Sequence, residues 1–244
     1  MEISYRISLW NYFHYHEPGT LETVIAQIRE AGYGVEIWPR WFGENDIFEP
    51  VNRRRLKGLL SDIPSSIHGG RPDTIDNHRK QIETAAVTGS DVIVVHPDQV
   101  RLNVDPPDYD FCQEVVSMAR EKDVVIALEN GPLAILENAL RNVEDLGICL
   151  DVGHVYFTPD PMASFVDSLK EDICHLHLQD TLGEIDHYVP GTGIIPESDW
   201  MYLFEALEEV GFEGAGVLEI RPRNPIQHAE MAGEFFAGLL SSIH

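Results

Sequence analysis

The sequence predicts an α/β protein, a (β/α)₈ TIM barrel occupying residues 1–244 as one domain, and three observations predict it. Short apolar runs recur about every 30 residues, the period of a repeated unit. Stretches of helical period lie between them. Many of the apolar runs end in an oxygen or imidazole donor: SSIHGG, VIVVHPD, VVIALEN, ICLDVGH, ICHLHLQD and GVLEI deliver His68, His96, Glu129, Asp151, His154, His177 and Glu219. Alternation of strand and helix implies a parallel sheet with right-handed crossovers. Eight such units in 244 residues match a closed barrel, which typically takes about 250.

The strands are expected at Ile3–Leu9, Gly34–Trp38, Ile63–His68, Val92–His96, Val124–Glu129, Gly147–Leu150, Ile173–Leu178 and Gly216–Ile220. Runs such as VIVV and VVIAL are apolar on both faces, as strands covered by helices require. In the first helix Leu21, Val24, Ile25 and Ile28 stand at i, i+3, i+4 and i+7, with Thr20 as N-cap candidate. Asp199 opens a later helix carrying Met201, Leu203, Phe204, Leu207 and Val210, with Gly211 as its stop. Phe235, Phe236, Leu239 and Leu240 form the last stripe. Eight helices are expected. The longest connections, Trp38–Glu49, Pro97–Asp108 and Asp180–Ser198, all follow strands. They therefore sit on the C-terminal face, where barrel active sites lie.

Composition narrows the class. Apolar residues make up 43% and charged residues 24%, ordinary for a globular protein. No apolar run reaches the roughly 18 residues of a membrane span, and Met1–Arg6 carries no basic leader with an apolar core, so a cytoplasmic location and no membrane partner are expected. Cys112, Cys149 and Cys174 are far apart and form no CxxC; free thiols in a reducing compartment follow. Cys149 and Cys174 lie in strand patterns and read as core filler. The net charge of −24 repels phosphate backbones and argues against nucleic acid as a partner. Arg53, Arg54, Arg55 and Lys57 read as a solvated helix face or an anion site.

Carboxylates buried together at a barrel mouth are costly unless paired or coordinated. A divalent cation reverses that cost. Glu129, Asp151, His177 and Glu219 come from strands five to eight and are the expected metal ligands. Oxygen donors with one imidazole suit Mn²⁺, Mg²⁺ or Co²⁺. Additional imidazoles from His68, His96, His154 and His187 would favour Zn²⁺. His175 shares the direction of His177 by strand alternation, and His177 is preferred as nearer the strand end. Taken singly, each Glu could be a salt-bridge partner and each strand His a hydrogen-bonded core residue. His14 and His16 lie in a loop. No organic cofactor is expected.

These residues resemble the xylose isomerase-like TIM barrels, the superfamily of sugar and sugar-phosphate isomerases and epimerases that also includes the endonuclease IV-type AP endonucleases. AGYGVEIW resembles the second strand, with Glu36 at the acidic position. LEN, DVGH, HLHLQD and LEI resemble strands five to eight, and DHYVPGTGII the loop in which a His precedes a G-x-G turn, here His187, Gly191 and Gly193. The resemblance implies Glu129, Asp151, His177 and Glu219 as the four metal ligands and His154 as a substrate- or metal-contacting histidine. It implies His68, His96 and His187 as the imidazoles that complete a multinuclear zinc cluster in the endonuclease branch. One departure stands out. The branch's aspartate two residues before His187 is Ile185 here, flanked by Glu184 and Asp186, which points to one or two metals rather than three.

The leading expectation is a metal-dependent isomerase or epimerase of a small polyhydroxy carbonyl compound, a sugar or sugar phosphate. Glu129 and Glu219 would move the proton alpha to the carbonyl. His154, His68, Trp10 and Arg221 would bind substrate, and Trp10, Tyr12, Phe13, Trp38 and Trp41 could stack on a sugar face. Arg40, Arg71, Arg101 and Arg223 are further cations that follow strands. The alternatives are zinc-dependent cleavage of abasic DNA, a dehydratase or lyase on the same fold, and a barrel that only binds ligand. A homo-oligomer is compatible with all of them.

Overall fold

Eight parallel strands follow one another in chain order around a closed barrel. They are β1 (Glu2–Ser8), β2 (Gly34–Ile37), β3 (Ser65–His68), β4 (Val92–Val95), β5 (Val125–Glu129), β6 (Gly147–Asp151), β7 (Ile173–Leu178) and β8 (Glu213–Leu218). The structure is a computed structural model, and it describes residues 1–12, 19–38, 47–70, 74–221 and 223–243. Phe13, His14, His16, Arg40, Trp41 and Arg71 lie outside the described residues. The helices are α1 (Thr20–Glu30), α2 (Pro50–Leu60), α3 (Ile75–Thr88), α4 (Tyr109–Arg120), α5 (Leu133–Asn142), α6 (Val152–Val155), α7 (Met162–Leu169), α8 (Glu197–Glu209) and α9 (Pro225–Ile243). A 3₁₀ turn, Leu9–Asn11, follows β1.

The (β/α)₈ expectation holds, with local corrections. The described residues contain one α-helix more than the eight expected. The addition is α6, a single turn that the Asp151 carboxylate caps by accepting from the His154 amide at 2.8 Å. Helix α1 is capped by Gly19 at φ 82, not by Thr20, because glycine enters the left-handed region without a Cβ clash. Helix α8 begins two residues before Asp199, after Pro196, whose ring presets an extended entry. Strand β8 is shifted toward the N-terminus relative to expectation. Its register on β1 runs from Glu2↔Glu213 to Ile7↔Leu218, which leaves Glu219 as the first residue beyond the strand.

The main core fills the gap between sheet and helices. Leu21, Ile25, Leu56, Phe165, Trp200, Phe204 and Phe236 are all almost fully buried there, each large side chain contributing roughly 1.5–3 kcal/mol. The barrel lumen is different. Val92, Val94, Ala127 and Cys149 form a small apolar cluster inside it. Other inward positions carry polar groups, among them Arg6, Ser8, Glu36, Ser66, His68, His175 and His177, none more than 3% exposed. Buried polar groups at this density persist only when each has a partner. At the base, Arg6 makes a bidentate pair with Asp91, one arm at 2.7 Å. At the top the polar groups face one another, and Glu36 Oε1, Glu129 Oε2 and both His177 nitrogens are left without a hydrogen-bond partner.

Other expectations are settled by position. Arg53 pairs with Glu83 at 2.6 Å and Arg55 with Glu22 at 2.7 Å, so two cations of the basic run on α2 are paired across helix faces. Cys112, Cys149 and Cys174 are free thiols. Burial pushes Cys112 up to about 12, helped by the Asp108 charge, and Cys149 well above its ordinary value, which keeps both unreactive. Among the described residues no helix is long and apolar enough to cross a membrane.

Candidate metal centre and active site

Strand pairing brings the donors to one level. Asp151 on β6 stands opposite His177 on β7, and His177 opposite Val217 on β8. Glu219 lies two residues on, so it faces the same way as Val217. Donor atoms of Glu129, Asp151, His177 and Glu219 all lie within 4.8 Å of one another. Nδ1 of His177 is the hub, 3.4 Å from Glu129 Oε1, 3.4 Å from Glu219 Oε2 and 3.7 Å from Asp151 Oδ2. These four residues are at most 2% exposed. Yet His177 Nδ1 and Glu129 Oε2 have no hydrogen-bond partner. Three carboxylates and an imidazole with unused, buried lone pairs are what a divalent cation would satisfy.

Two further donor sets flank this one. His68 Nε2 and His96 Nε2 lie 3.4 and 3.2 Å from Glu129 Oε2. On the other side His154 Nε2 and His187 Nε2 both stand 3.5 Å from Asp186 Oδ2. The oxygen that Ile185 cannot offer is thus supplied by its neighbour. Backbone carbonyls select the free nitrogen of two rings. His68 donates from Nδ1 to the Gly69 carbonyl and His187 from Nδ1 to the Glu219 carbonyl, each at 3.0 Å. Their Nε2 lone pairs are left facing the carboxylates.

Beneath the donors lies a second layer that the sequence reading did not assemble. Glu36, fully buried on β2, accepts from Ser66 Oγ at 3.0 Å and from His175 Nε2 at 3.0 Å, and its Oε1 stands 3.1 Å from His177 Nε2. His175 therefore belongs to this layer and His177 to the donor set, as strand position predicts. Gln179 donates to both oxygens of Asp151 at 3.0 and 3.1 Å, and Asn130 donates to its carbonyl at 3.0 Å. Gln179 was findable: it continues the inward alternation of His175 and His177. Asn130 and Asp186, on loops, carry no comparable signal.

Electrostatics follow from this crowding. Burial raises the carboxyls of Glu36, Glu129 and Asp151, but the neighbouring imidazolium charges and hydrogen bonds outweigh it and hold all three below their ordinary values. The histidines answer in kind. Burial lowers His154, and the charges of Asp151 and Glu129 carry it up to about 10. Burial lowers His177, but charge at Cys149, Glu36, Glu129 and Glu219 drives it well above its ordinary value, and His68 is raised by Glu129 despite its burial. His175 is lowered by burial, with the His177 and Arg6 charges acting in the same direction and Glu36 against them.

Aromatic rings wall one side. Trp38 stacks on His68 at 4.2 Å between centroids and donates its indole N–H to Glu219 Oε1 at 3.0 Å. Trp10 sits 4.3 Å from the His187 ring and 6.5 Å from Trp38. Tyr12 packs against the main core instead, with a buried hydroxyl. Arg221 is braced on Asp186, Nη2 to Oδ1 at 2.9 Å and Nε to the carbonyl at 2.8 Å. Arg101 lies on Asp108 and over the Phe111 ring, away from the centre.

Comparison with known proteins places this geometry. The family described as xylose isomerase-like TIM barrel matches residues 26–237. An uncharacterized protein of Methanocaldococcus jannaschii is 28% identical over 185 residues, covering 66% of this chain and 62% of that one. A fructoselysine 3-epimerase of Shigella flexneri is 32% identical over 95 residues, 37% of this chain and 33% of the enzyme. The chain thus spans less than two thirds of the length of either relative. A crystal structure of a D-tagatose 3-epimerase-like protein superposes with a TM-score of 0.78 at 22% identity, covering 99% of this chain and 100% of the other, which is a likeness of fold. With the match running through β2 to α9 and over every donor described above, the chain belongs to the xylose isomerase-like TIM barrel family.

Proposed function

We propose that this chain is a divalent-metal-dependent epimerase or isomerase of a small sugar or related polyhydroxy carbonyl compound. The observation that carries the reading is the buried convergence of Glu129, Asp151, His177 and Glu219 with donor atoms left unsatisfied. The epimerase among the relatives supports the reaction class. A cation held by these four residues would polarise a substrate carbonyl and acidify the adjacent C–H.

The remaining work falls to side chains. Glu129 and Glu219 approach the hub from different strands, each 3.4 Å from His177 Nδ1. One removes the proton alpha to the carbonyl and the other returns it from the opposite face. Trp38 holds Glu219 through its indole N–H, and His68 and His96 flank Glu129. His154, partly exposed at the mouth, is placed to meet a substrate hydroxyl. Trp10 and Trp38 offer an apolar wall that excludes water. Replacing Glu129 or Glu219 by Gln should slow exchange of the substrate's carbon-bound proton with deuterated solvent by about 10²–10⁴-fold. Exchange at the parental rate in either variant would refute the two-carboxylate scheme.

A second reading, zinc-dependent phosphodiester cleavage at abasic DNA, draws on the two flanking donor sets. Against it stands the net charge of −24, since phosphate contacts supply much of DNA affinity. Incision of an abasic duplex by the zinc-loaded protein would favour it. Elimination of water from a hydroxy acid, read by product analysis, would favour a dehydratase.

A further inference from the structure

We infer that a cavity beside the metal centre seats a phosphate monoester at the end of the substrate remote from the reacting carbonyl. This rests on the epimerase reading above and names its substrate class, a sugar phosphate. The cavity has a volume of about 350 Å³ and is walled by His187, Arg221, Arg223 and His228, with Val189 and Met231 as apolar sides. It opens where barrels commonly hold phosphate, on the loops after the seventh and eighth strands and the start of the next helix. His187 belongs to both spaces. It lines the cavity, and its nitrogens stand 3.5 Å from Asp186 Oδ2 and 3.9 Å from Glu219 Oε2.

Charge makes this space unusual in the molecule. The chain carries 41 acidic and 17 basic residues, yet among the described residues no Asp or Glu lines this cavity. Elsewhere Arg29, Arg53, Arg55, Arg79, Arg120 and Arg141 each rest on a carboxylate. Arg223 has no carboxylate partner among the described residues. Beside it the Nδ1 of His228 is buried without a hydrogen-bond partner, and burial together with the Arg223 charge lowers that imidazole. Arg221 spends Nε and Nη2 on Asp186, and among the described residues its Nη1 has no hydrogen-bond partner. Two guanidiniums and an orphaned imidazole nitrogen around one hollow are arranged to receive an anion, and planar guanidinium forks suit phosphate oxygens.

The test uses the metal-loaded protein and R223Q, an exposed position outside the proposed catalytic set. A ketose and its terminal phosphate ester are compared as substrates, and inorganic phosphate binding is followed by titration. The wild type should prefer the ester. R223Q should raise the ester's KM by roughly 10- to 100-fold, the worth of one charge-assisted hydrogen bond, with kcat and the neutral ketose unchanged. Phosphate affinity should fall by a similar factor. No preference for the ester, or an equal effect of R223Q on ester and ketose, overturns the inference, as does phosphate binding that R223Q leaves intact. If neither sugar turns over while phosphate binding still depends on Arg223, the epimerase reading fails and the anion site stands.

Discussion

Replacing Glu36 by Gln tests whether the metal centre depends on the layer beneath it. The carboxylate is fully buried and faces three groups with two oxygens: Ser66 and His175 hydrogen-bond Oε2 at 3.0 Å each, and His177 Nε2 stands 3.1 Å from Oε1. Glutamine keeps the volume but presents one oxygen and one NH₂. Whichever way the amide turns, either His177 Nε2 or the Ser66–His175 pair loses its anionic acceptor and meets an NH₂ instead. The ring that supplies Nδ1 to the donor set then loses its anchor. Outer-layer carboxylates of this kind are typically worth 10–100-fold in metal affinity, about 1.4–2.8 kcal/mol. Folding should also weaken by a few kcal/mol, because the imidazoles lose their buried counter-charge. Calorimetric titration of Mn²⁺ into parent and E36Q reads the first effect. Urea unfolding reads the second, and nitrogen chemical shifts of His177 report its tautomer. Unchanged affinity with an unchanged His177 tautomer would refute the reasoning, since the layer would then be packing alone.

Other expectations concern the ionic state of the centre. In metal-free protein His154 is held at about 10, above its unfolded value of about 6.5. Its contribution to stability is therefore complete below about pH 6.5 and lost as pH rises through about 10. Thermal scans of metal-free protein should show a midpoint falling between pH 7 and pH 10.5, and H154Q should flatten that fall; parallel slopes would count against it. Metal loading should release protons, because His177 is raised well above its ordinary value before loading. Titrations in buffers of different ionisation enthalpy measure that release, and none observed would contradict the assignment of His177. Stripping with chelator and restoring Mn²⁺ to about 100 times its Kd should stabilise the fold by about 2.7 kcal/mol, or roughly 5–10 °C in a chain of this size. A midpoint indifferent to every divalent ion would remove the metal centre from the account.

Much of the architecture was legible because its causes are local. A strand covered on both sides must be apolar on both faces, and VIVV and VVIAL announce that without knowledge of their neighbours. The donors were legible for a related reason: strand ends share one rim of a parallel barrel, so Glu129, Asp151, His177 and Glu219 had to meet once the order was closed. Boundaries were less secure. Gly19 rather than Thr20 caps α1, and β8 ends at Leu218, because single-residue limits depend on turn geometry and on register with β1.

What the sequence determined by itself was the period, the barrel and the rim of acid and imidazole, all set by spacing along the chain. Tertiary structure alone decided which groups share a charge. Glu36 and His175 lie 139 residues apart and meet only inside the closed lumen, where low polarisability makes their pairing obligatory. Asp186 came to stand between His154 and His187 through the path of one loop, and Arg223, just before α9, came to line a hollow with no carboxylate among the described residues. Spacing along a chain specifies which face a side chain takes; it carries no information about distances across a barrel, and those distances set the strength of every interaction between charges.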